Sequence, residues 1–307
     1  MIRKLVLAAI ASASLTGCSS WLAPDYQRPD APIPTAWPQG EAYPTALPGA
    51  EGQPEAADIG WRDFILDERL RELVALALAN NRDLRLSALN IEKARAQYGV
   101  ARADLFPSVN AVASGNNQKA AKDLTTDGSP RTTHVYGASL GFSAYELDFF
   151  GRVQNLKDAA LHSYLRTVAA RNTQQITLLA EVASRYLTLA ADRARLKIAQ
   201  ATLVSQQESY DLTRKRFELD VAGQVDLSSA ETTVEAARAD VAAYTAAVAQ
   251  DVNALTLLVG TGVPAALLPP DGVLDGVPVL QEVPAGVTSA VLLRRPDLLA
   301  DEESLRA

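Results

Sequence analysis

The 307-residue chain carries 36 acidic and 29 basic side chains, a net charge of −7 and a single cysteine. Its basic residues are scattered rather than gathered on one face, which argues against a nucleic-acid partner. One cysteine excludes an intramolecular disulfide, and mild acidity says only that the surface away from any apolar element is soluble.

Residues 1–17 read as a signal peptide. Arg3 and Lys4 form a positive start, Leu5 to Leu15 a short apolar run, and Leu15-Thr16-Gly17-Cys18 follows at once. That tetrapeptide resembles the bacterial lipobox, which implies cleavage before Cys18 and acylation of its thiol and new amino terminus, palmitate being one such chain. In the same pattern an Asp after the cysteine holds a lipoprotein at the inner membrane; Ser19 stands here and implies outer-membrane sorting. Two or more acyl chains anchor firmly where one does not. Beyond the signal no run of about 18 apolar residues is expected to form a transmembrane helix. Any crossing must then be made by β-strands closed into a barrel. Residues 18–66 hold Pro24, Pro29, Pro32, Pro34, Pro38, Pro44, Pro48 and Pro54. Chain so rich in proline is extended, and it is read as a lipidated tether.

Residues 67–106 carry the first helical patterns. Asp67 is placed to cap a helix whose apolar face is Leu70, Leu73, Val74, Leu76 and Leu78, ending near Asn80-Asn81. Asp83 is expected to restart the pattern, which runs through Leu84, Leu86, Leu89, Ile91 and Ala94 to Phe106-Pro107. Residues 107–148 are then expected to form two transmembrane β-strands with an external loop. In the second, Tyr136, Ala138, Leu140, Phe142 and Ala144 alternate with Gly137, Ser139, Gly141 and Ser143. A strand between lipid and a watery lumen needs that alternation, and the first set is assigned to the lipid side. The first strand, Ser108 to Gly115, alternates more weakly through Val109, Ala111 and Ala113. Asn116 to Thr133 reads as the polar loop.

Residues 149–260 read as a long helical hairpin. From Gly151 to Leu219 there is no proline, and no glycine after Gly151. A helix of that length reaches on the order of 100 Å, against about three turns for the average globular helix. Val182, Leu189, Leu196, Leu203, Tyr210 and Phe217 recur every seven residues. After a turn near 220–226 the return arm carries Leu227, Val234, Val241, Val248 and Leu255, with Ala230, Ala237, Tyr244, Asp251 and Leu258 three residues on. This is coiled-coil periodicity. Ala190, Ala191, Ala194, Ala236, Ala242 and Ala243 lie beside the seams and let helices approach on more than one side. The return arm is half as long as the ascending one, so the helices of residues 68–106 are expected to continue its column. Residues 261–286, with Pro264, Pro269 and Pro270, supply the connection at mid-height. In residues 287–307 a second copy begins: Leu292, Asp297, Leu298 and Leu305 repeat Leu78, Asp83, Leu84 and Ile91 at constant offset. The fold class expected is mainly α with a small β part, a long antiparallel coiled-coil hairpin joined to two barrel strands.

Several stretches in order resemble the TolC-like outer-membrane factor family, in particular the lipoprotein channels of RND-type multidrug efflux systems. They are Leu15-Thr16-Gly17-Cys18 with Ala23-Pro24-Asp25-Tyr26, Ala94-Arg95-Ala96-Gln97, and Leu105-Phe106-Pro107-Ser108. Glu146-Leu147-Asp148-Phe149-Phe150-Gly151-Arg152 follows at the strand-to-helix joint, then Glu181-Val182-Ala183 with Tyr186-Leu187. Asn253-Ala254-Leu255-Thr256-Leu257-Leu258-Val259-Gly260 and Leu293-Arg294-Arg295-Pro296-Asp297-Leu298 complete the set. Tyr145 departs from the tryptophan the family often has there. The resemblance implies a homotrimer with a twelve-stranded outer-membrane β-barrel on a periplasmic tunnel of twelve helices. It implies a passive conduit for drugs or other small molecules, driven by an inner-membrane pump through a periplasmic adaptor. Carried onto this chain, the adaptor-contact tip is Val221, Ala222, Gly223 and Gln224, flanked by Asp220 and Asp226. It also implies a second repeat of strands and hairpin, so the 307 residues are expected to be a fragment.

No catalytic constellation, cofactor site or metal site is expected. His134 and His162 stand alone, Ser139 and Ser143 lie on a strand without a nucleophile elbow, and Glu146 with Asp148 reads as joint-capping. The glycines form no phosphate loop. The alternative reading is a lipid-anchored periplasmic coiled-coil adaptor or structural lipoprotein without a pore, which accounts for Cys18 and the heptads but not for the strand alternation.

Overall fold

The structure, a computed structural model, describes residues 26–30, 58–124, 126, 128–129, 131–142, 145–271, 280–281, 283, 287 and 289–307. Cys18 and Ser19, most of the proline-rich segment, and Ser143 and Ala144 lie outside the described residues. The described elements are helices α1 (Trp61–Phe64), α2 (Glu68–Asn80) and α3 (Arg82–Ala103), strands β1 (Val109–Ala120) and β2 (Arg131–Phe142), then α4 (Arg152–Glu218), α5 (Gln224–Val259) and α6 (Pro296–Arg306). The chain is mainly helical with a small β part. It divides into two compact units, one of residues 26–30, 91–166 and 303–307, the other of residues 58–90 and 167–302.

In the second unit α2 starts as its sequence dictates. Asp67 Oδ1 accepts from the Leu70 amide at 2.8 Å, satisfying one of the donors that a helix start leaves free. Leu70, Leu73, Val74 and Ala77 then form the buried stripe. They join Ile65, Leu84, Leu178, Val182, Tyr186, Leu189, Leu255 and Val259 in one core. Fully burying a side chain such as Leu or Val contributes about 1.5–3 kcal/mol. This cluster therefore fixes α2 against the long hairpin.

The break between α2 and α3 falls where the sequence pattern places it, at Asn80-Asn81. Asn81 caps α3: its backbone is extended, and its Oδ1 accepts from the Leu84 amide at 2.8 Å. Asp83 lies in the first turn, where a negative charge favours the helix N-terminus. The Asn81 Nδ2 also donates to the Leu258 carbonyl at 2.8 Å, a bond that an Asp in its place could not make.

The hairpin arms are α4, of 67 residues, and α5, of 36. Along α5 the positions 227, 230, 234, 237, 241, 244, 248, 251, 255 and 258 are all buried or half-buried, as the heptad reading requires. On α4 the expected row from Val182 to Phe217 is covered too, and so is a second row not singled out in the sequence: Asp192, Ala199, Gln206 and Thr213. Ala236, Ala242 and Ala243, by contrast, are exposed. One expectation fails on composition. Helix α5 is long and apolar enough to cross a membrane. Alanine supplies much of that character, and the seam spacing marks it as a surface for packing helices.

Helix α5 ends at Gly260, whose φ of +78° is the left-handed conformation that closes many helices. A Cβ there would lie 2.5 Å from the Asn80 carbonyl oxygen, so the close approach of the α2–α3 break demands glycine twice over. Beyond it, Arg193 of α4 pairs with Asp271 at 3.1 Å and donates to the Pro269 carbonyl, with Pro269 fully buried. Leu280 bridges Ile65, and the Gln281 amide donates to Phe64 O at 2.8 Å. Helix α6 opens at Pro296, the counterpart of Arg82 at the spacing that relates Asp297 to Asp83.

Candidate functional site

Three surfaces answer to the candidate residues: the sheet, the strand-to-helix joint and the hairpin tip. In the first unit β1 and β2 pair antiparallel from Val109↔Phe142 to Ala120↔Arg131. Both strands run further into the expected loop than their side chains suggested, because ladder hydrogen bonds join backbones and tolerate Asn116, Asn117 and Gln118. Directly opposed residues share a face. Val109, Ala111, Ala113 and Gly115 therefore lie with Phe142, Leu140, Ala138 and Tyr136 on one apolar surface. The other face carries Asn110, Val112, Ser114 and Asn116 with Gly141, Ser139, Gly137 and Val135.

The apolar face is about 20 Å long at the usual rise per residue. Beyond Tyr136 the same row turns polar, and His134 meets Asn117 there at 2.6 Å. Tyr136 covers Gly115, since a Cβ on that glycine would lie 3.3 Å from the ring's Cδ1. Yet the face is bare: Tyr136, Leu140 and Phe142 are each more than three-quarters exposed. Among the described residues no third strand pairs with either edge. A two-stranded sheet with both faces wet is marginal in water, and its open edges invite pairing with another chain.

At the joint, Tyr145 donates its hydroxyl proton to Leu105 O at 3.1 Å, tying the end of β2 to the end of α3. Arg152 pairs with Glu146 through both carboxylate oxygens, Nε to Oε1 at 3.0 Å. That guanidinium holds the Glu146 carboxyl below its ordinary range, and Glu146 raises the Arg152 guanidinium in return. Asp148 Oδ2 accepts from the Gln154 amide at 3.0 Å. This bond first, with help from the amides of Arg152, Val153 and Gly151, lowers the Asp148 carboxyl. Gly151 makes the turn into α4 at φ +75°. A cleft of about 520 Å³ lies here, lined by Asp104, Phe106, Pro107, Tyr145, Glu146 and Arg152 among others. The paired acid and base are spent on each other and the second acid on the helix start, which is capping rather than acid–base chemistry. Among the described residues no three metal-ligating side chains come together. His162, expected to stand alone, instead meets Glu303 of α6 at 2.7 Å.

At the tip, α4 ends in a Schellman turn. The Val221 amide donates to Arg216 O at 2.8 Å and the Asp220 amide to Phe217 O at 3.0 Å, with Asp220 at φ +56°. Gly223 precedes α5, and its amide donates to Asp226 Oδ2 at 3.0 Å. Ala222 is half-buried and Gln224 opens α5. The apolar side chains left in solvent are Leu219, Val221 and Val225, at 74%, 65% and 78% exposure. Leu219 and Val225 were missed in the sequence. Their signal was an apolar residue beside a turn and off the heptad rows.

A family model described as outer membrane efflux protein matches residues 73–261, more than half of the chain. The chain is 47% identical over all 307 residues to the probable efflux pump outer membrane protein TtgC of Pseudomonas putida, covering 62% of that protein. Its fold matches a crystal structure of a membrane protein from Pseudomonas aeruginosa with a TM-score of 0.72 and 37% identity, over 93% of this chain and 61% of that one. The open state of the Neisseria gonorrhoeae MtrE outer membrane channel matches with a TM-score of 0.70 and 32% identity, again over 93% and 61%. The chain thus spans about six-tenths of the relatives it matches. With the bare sheet joined through a capped turn to a heptad hairpin, these likenesses lead to one conclusion: the chain belongs to the outer membrane efflux protein family.

Proposed function

We propose that the chain is part of an outer-membrane channel subunit of a tripartite efflux system, a passive conduit and not an enzyme. The observation that carries this reading is the sheet. One face is apolar from Val109 and Phe142 to Gly115 and Tyr136, both edges are open, and the strand leads directly into the 67-residue α4. Tyr136, Ala138, Leu140 and Phe142, with Ala144 beyond them, face lipid. Strands from further copies of the protein, as a homotrimer, complete the barrel that the open edges require. Relatives named as efflux pump outer membrane proteins support the same activity.

Cys18 carries the acyl anchor and Ser19 directs it to the outer membrane, from which the helices project into the periplasm. The Glu146–Arg152 pair, Asp148 and Gly151 hold the joint between strand and helix. The tip from Asp220 to Gln224, with Asp226, meets a periplasmic adaptor that links the channel to an inner-membrane pump. Leu219, Val221 and Val225 provide the apolar contact there.

Alkaline extraction of membranes from cells producing Cys18→Ala separates this reading from a lipid-anchored coiled coil without a pore. A strand-inserted protein stays in the pellet without its acyl chains. Release of the variant into the soluble fraction, with the parent chain retained, would sink the channel reading.

A further inference from the structure

Asp251 is the one charged residue on the α5 side of the seam. Its seam neighbours on α5 are Tyr244, Val248, Leu255 and Leu258, and it is 7% exposed. Its Oδ2 is buried and meets no donor. A buried acceptor without a donor costs free energy unless it is paired or protonated. What α4 brings to this level is a second carboxyl, Asp192, itself 9% exposed and a neighbour of Asp251.

The charged surroundings leave one proton as the natural ligand of the pair. Asp192 has its own cation, Arg195, at 2.7 Å. Arg185, also on α4, opposes the effect of Asp192 on Asp251. Helix α5 has no other charged residue between Asp240 and Gly260. Helix α2, which packs on α5, carries Glu68, Arg69, Arg71 and Glu72 in its first turns, and Arg71 is turned to Ile65 O at 2.9 Å. The turn Ala265–Leu267 contributes no charge. Arg193 is committed to Asp271 and Pro269 O. Two adjacent buried carboxylates repel, whereas one protonated carboxyl gives its proton to the other as a strong hydrogen bond.

We propose that Asp192 and Asp251 form a proton-sharing latch across the α4–α5 seam, closing the hairpin at this level while one proton is held and weakening it when that proton leaves. Burial raises the Asp251 carboxyl first, and the neighbouring Asp192 raises it further, against the opposing Arg185. A carboxyl raised above its unfolded value of about 3.9 stabilises the fold fully below that value. The contribution is lost as pH rises through the raised value. The inference concerns the hairpin itself and does not rest on the channel reading.

Thermal unfolding of the full chain in detergent, followed by far-UV circular dichroism from acid to mildly alkaline pH, tests it against Asp251→Asn. Asparagine keeps a donor for Asp192 and cannot ionise. The variant is expected to melt higher than the parent at the alkaline end, with the gap closing toward the acid end. Infrared spectroscopy provides a second measurement that does not depend on melting: the parent-minus-variant difference spectrum should show a protonated-carboxyl stretch at the acid end that fades as pH rises. Equal pH dependence of parent and variant, or an unchanged carboxyl band, overturns the latch.

Discussion

The side-chain amide of Asn81 donates to the carbonyl oxygen of Leu258 at 2.8 Å, across 177 residues of chain. Leu258 is in the last turn of α5, where carbonyls have no partner within the helix. The same Asn81 side chain caps α3 through Leu84. One residue thus closes two helices at the level where α2, α3 and α5 meet.

Replacing Asn81 by alanine removes both bonds and leaves a carbonyl in a largely buried site without its donor. A loss of about 2–4 kcal/mol is expected, the sum of a lost cap and an unsatisfied acceptor. Urea unfolding of the Asn81→Ala chain measures it. Asn81→Asp keeps the cap alone, so it should fall between the variant and the parent. An Asp variant as stable as the parent contradicts the role given to Leu258.

Two left-handed residues respond oppositely to substitution. Gly260→Ala places a Cβ against Asn80 O in a conformation that costs an L-residue about 1–2 kcal/mol before any clash. It should destabilise by more than that. Asp220→Gly relieves the same conformation at the open tip and should gain up to about 1 kcal/mol. The two melting temperatures, moving in opposite directions, are the check.

On the sheet, neighbours in sequence should behave differently. Leu140→Arg puts a charge on the face assigned to lipid, at a cost of about 2–4 kcal/mol near the bilayer midplane. Ser139→Arg points the other way and should insert. The readout is the amount of each variant that resists alkaline extraction from outer membranes. Equal retention of both would contradict the assignment of faces.

At the joint, Glu146 and Asp148 are carboxyls held below their ordinary values. Their support for the turn is present above about pH 4 and is lost as pH falls through the lowered values. Hydrogen exchange should show protection of the Gln154 amide falling at acid pH in the parent chain. Asp148→Ala should lack that protection already at neutral pH.

Much of this was legible because it is periodic. The heptad rows of α4 and α5 require only local spacing, and the alternation of β2 requires only a period of two. Strand ends were not legible, since they depend on where the partner backbone stops pairing, and the polar side chains of Asn116 and Asn117 carry no information about that. The double role of Asn81 was not legible either, because one of its two partners is the distant Leu258. Leu219 and Val225 stood in plain view but belonged to neither heptad row, so nothing marked them.

The sequence by itself determined the long hairpin, the faces of the strands and the family, because these follow from spacing along one chain. Only the tertiary structure decided which groups meet: Asn81 with Leu258, Gly260 against Asn80, Asp192 beside Asp251. The physical reason is that hydrogen bonds and steric fit act over a few ångströms. Those distances, between residues far apart along the chain, exist only once the helices are packed.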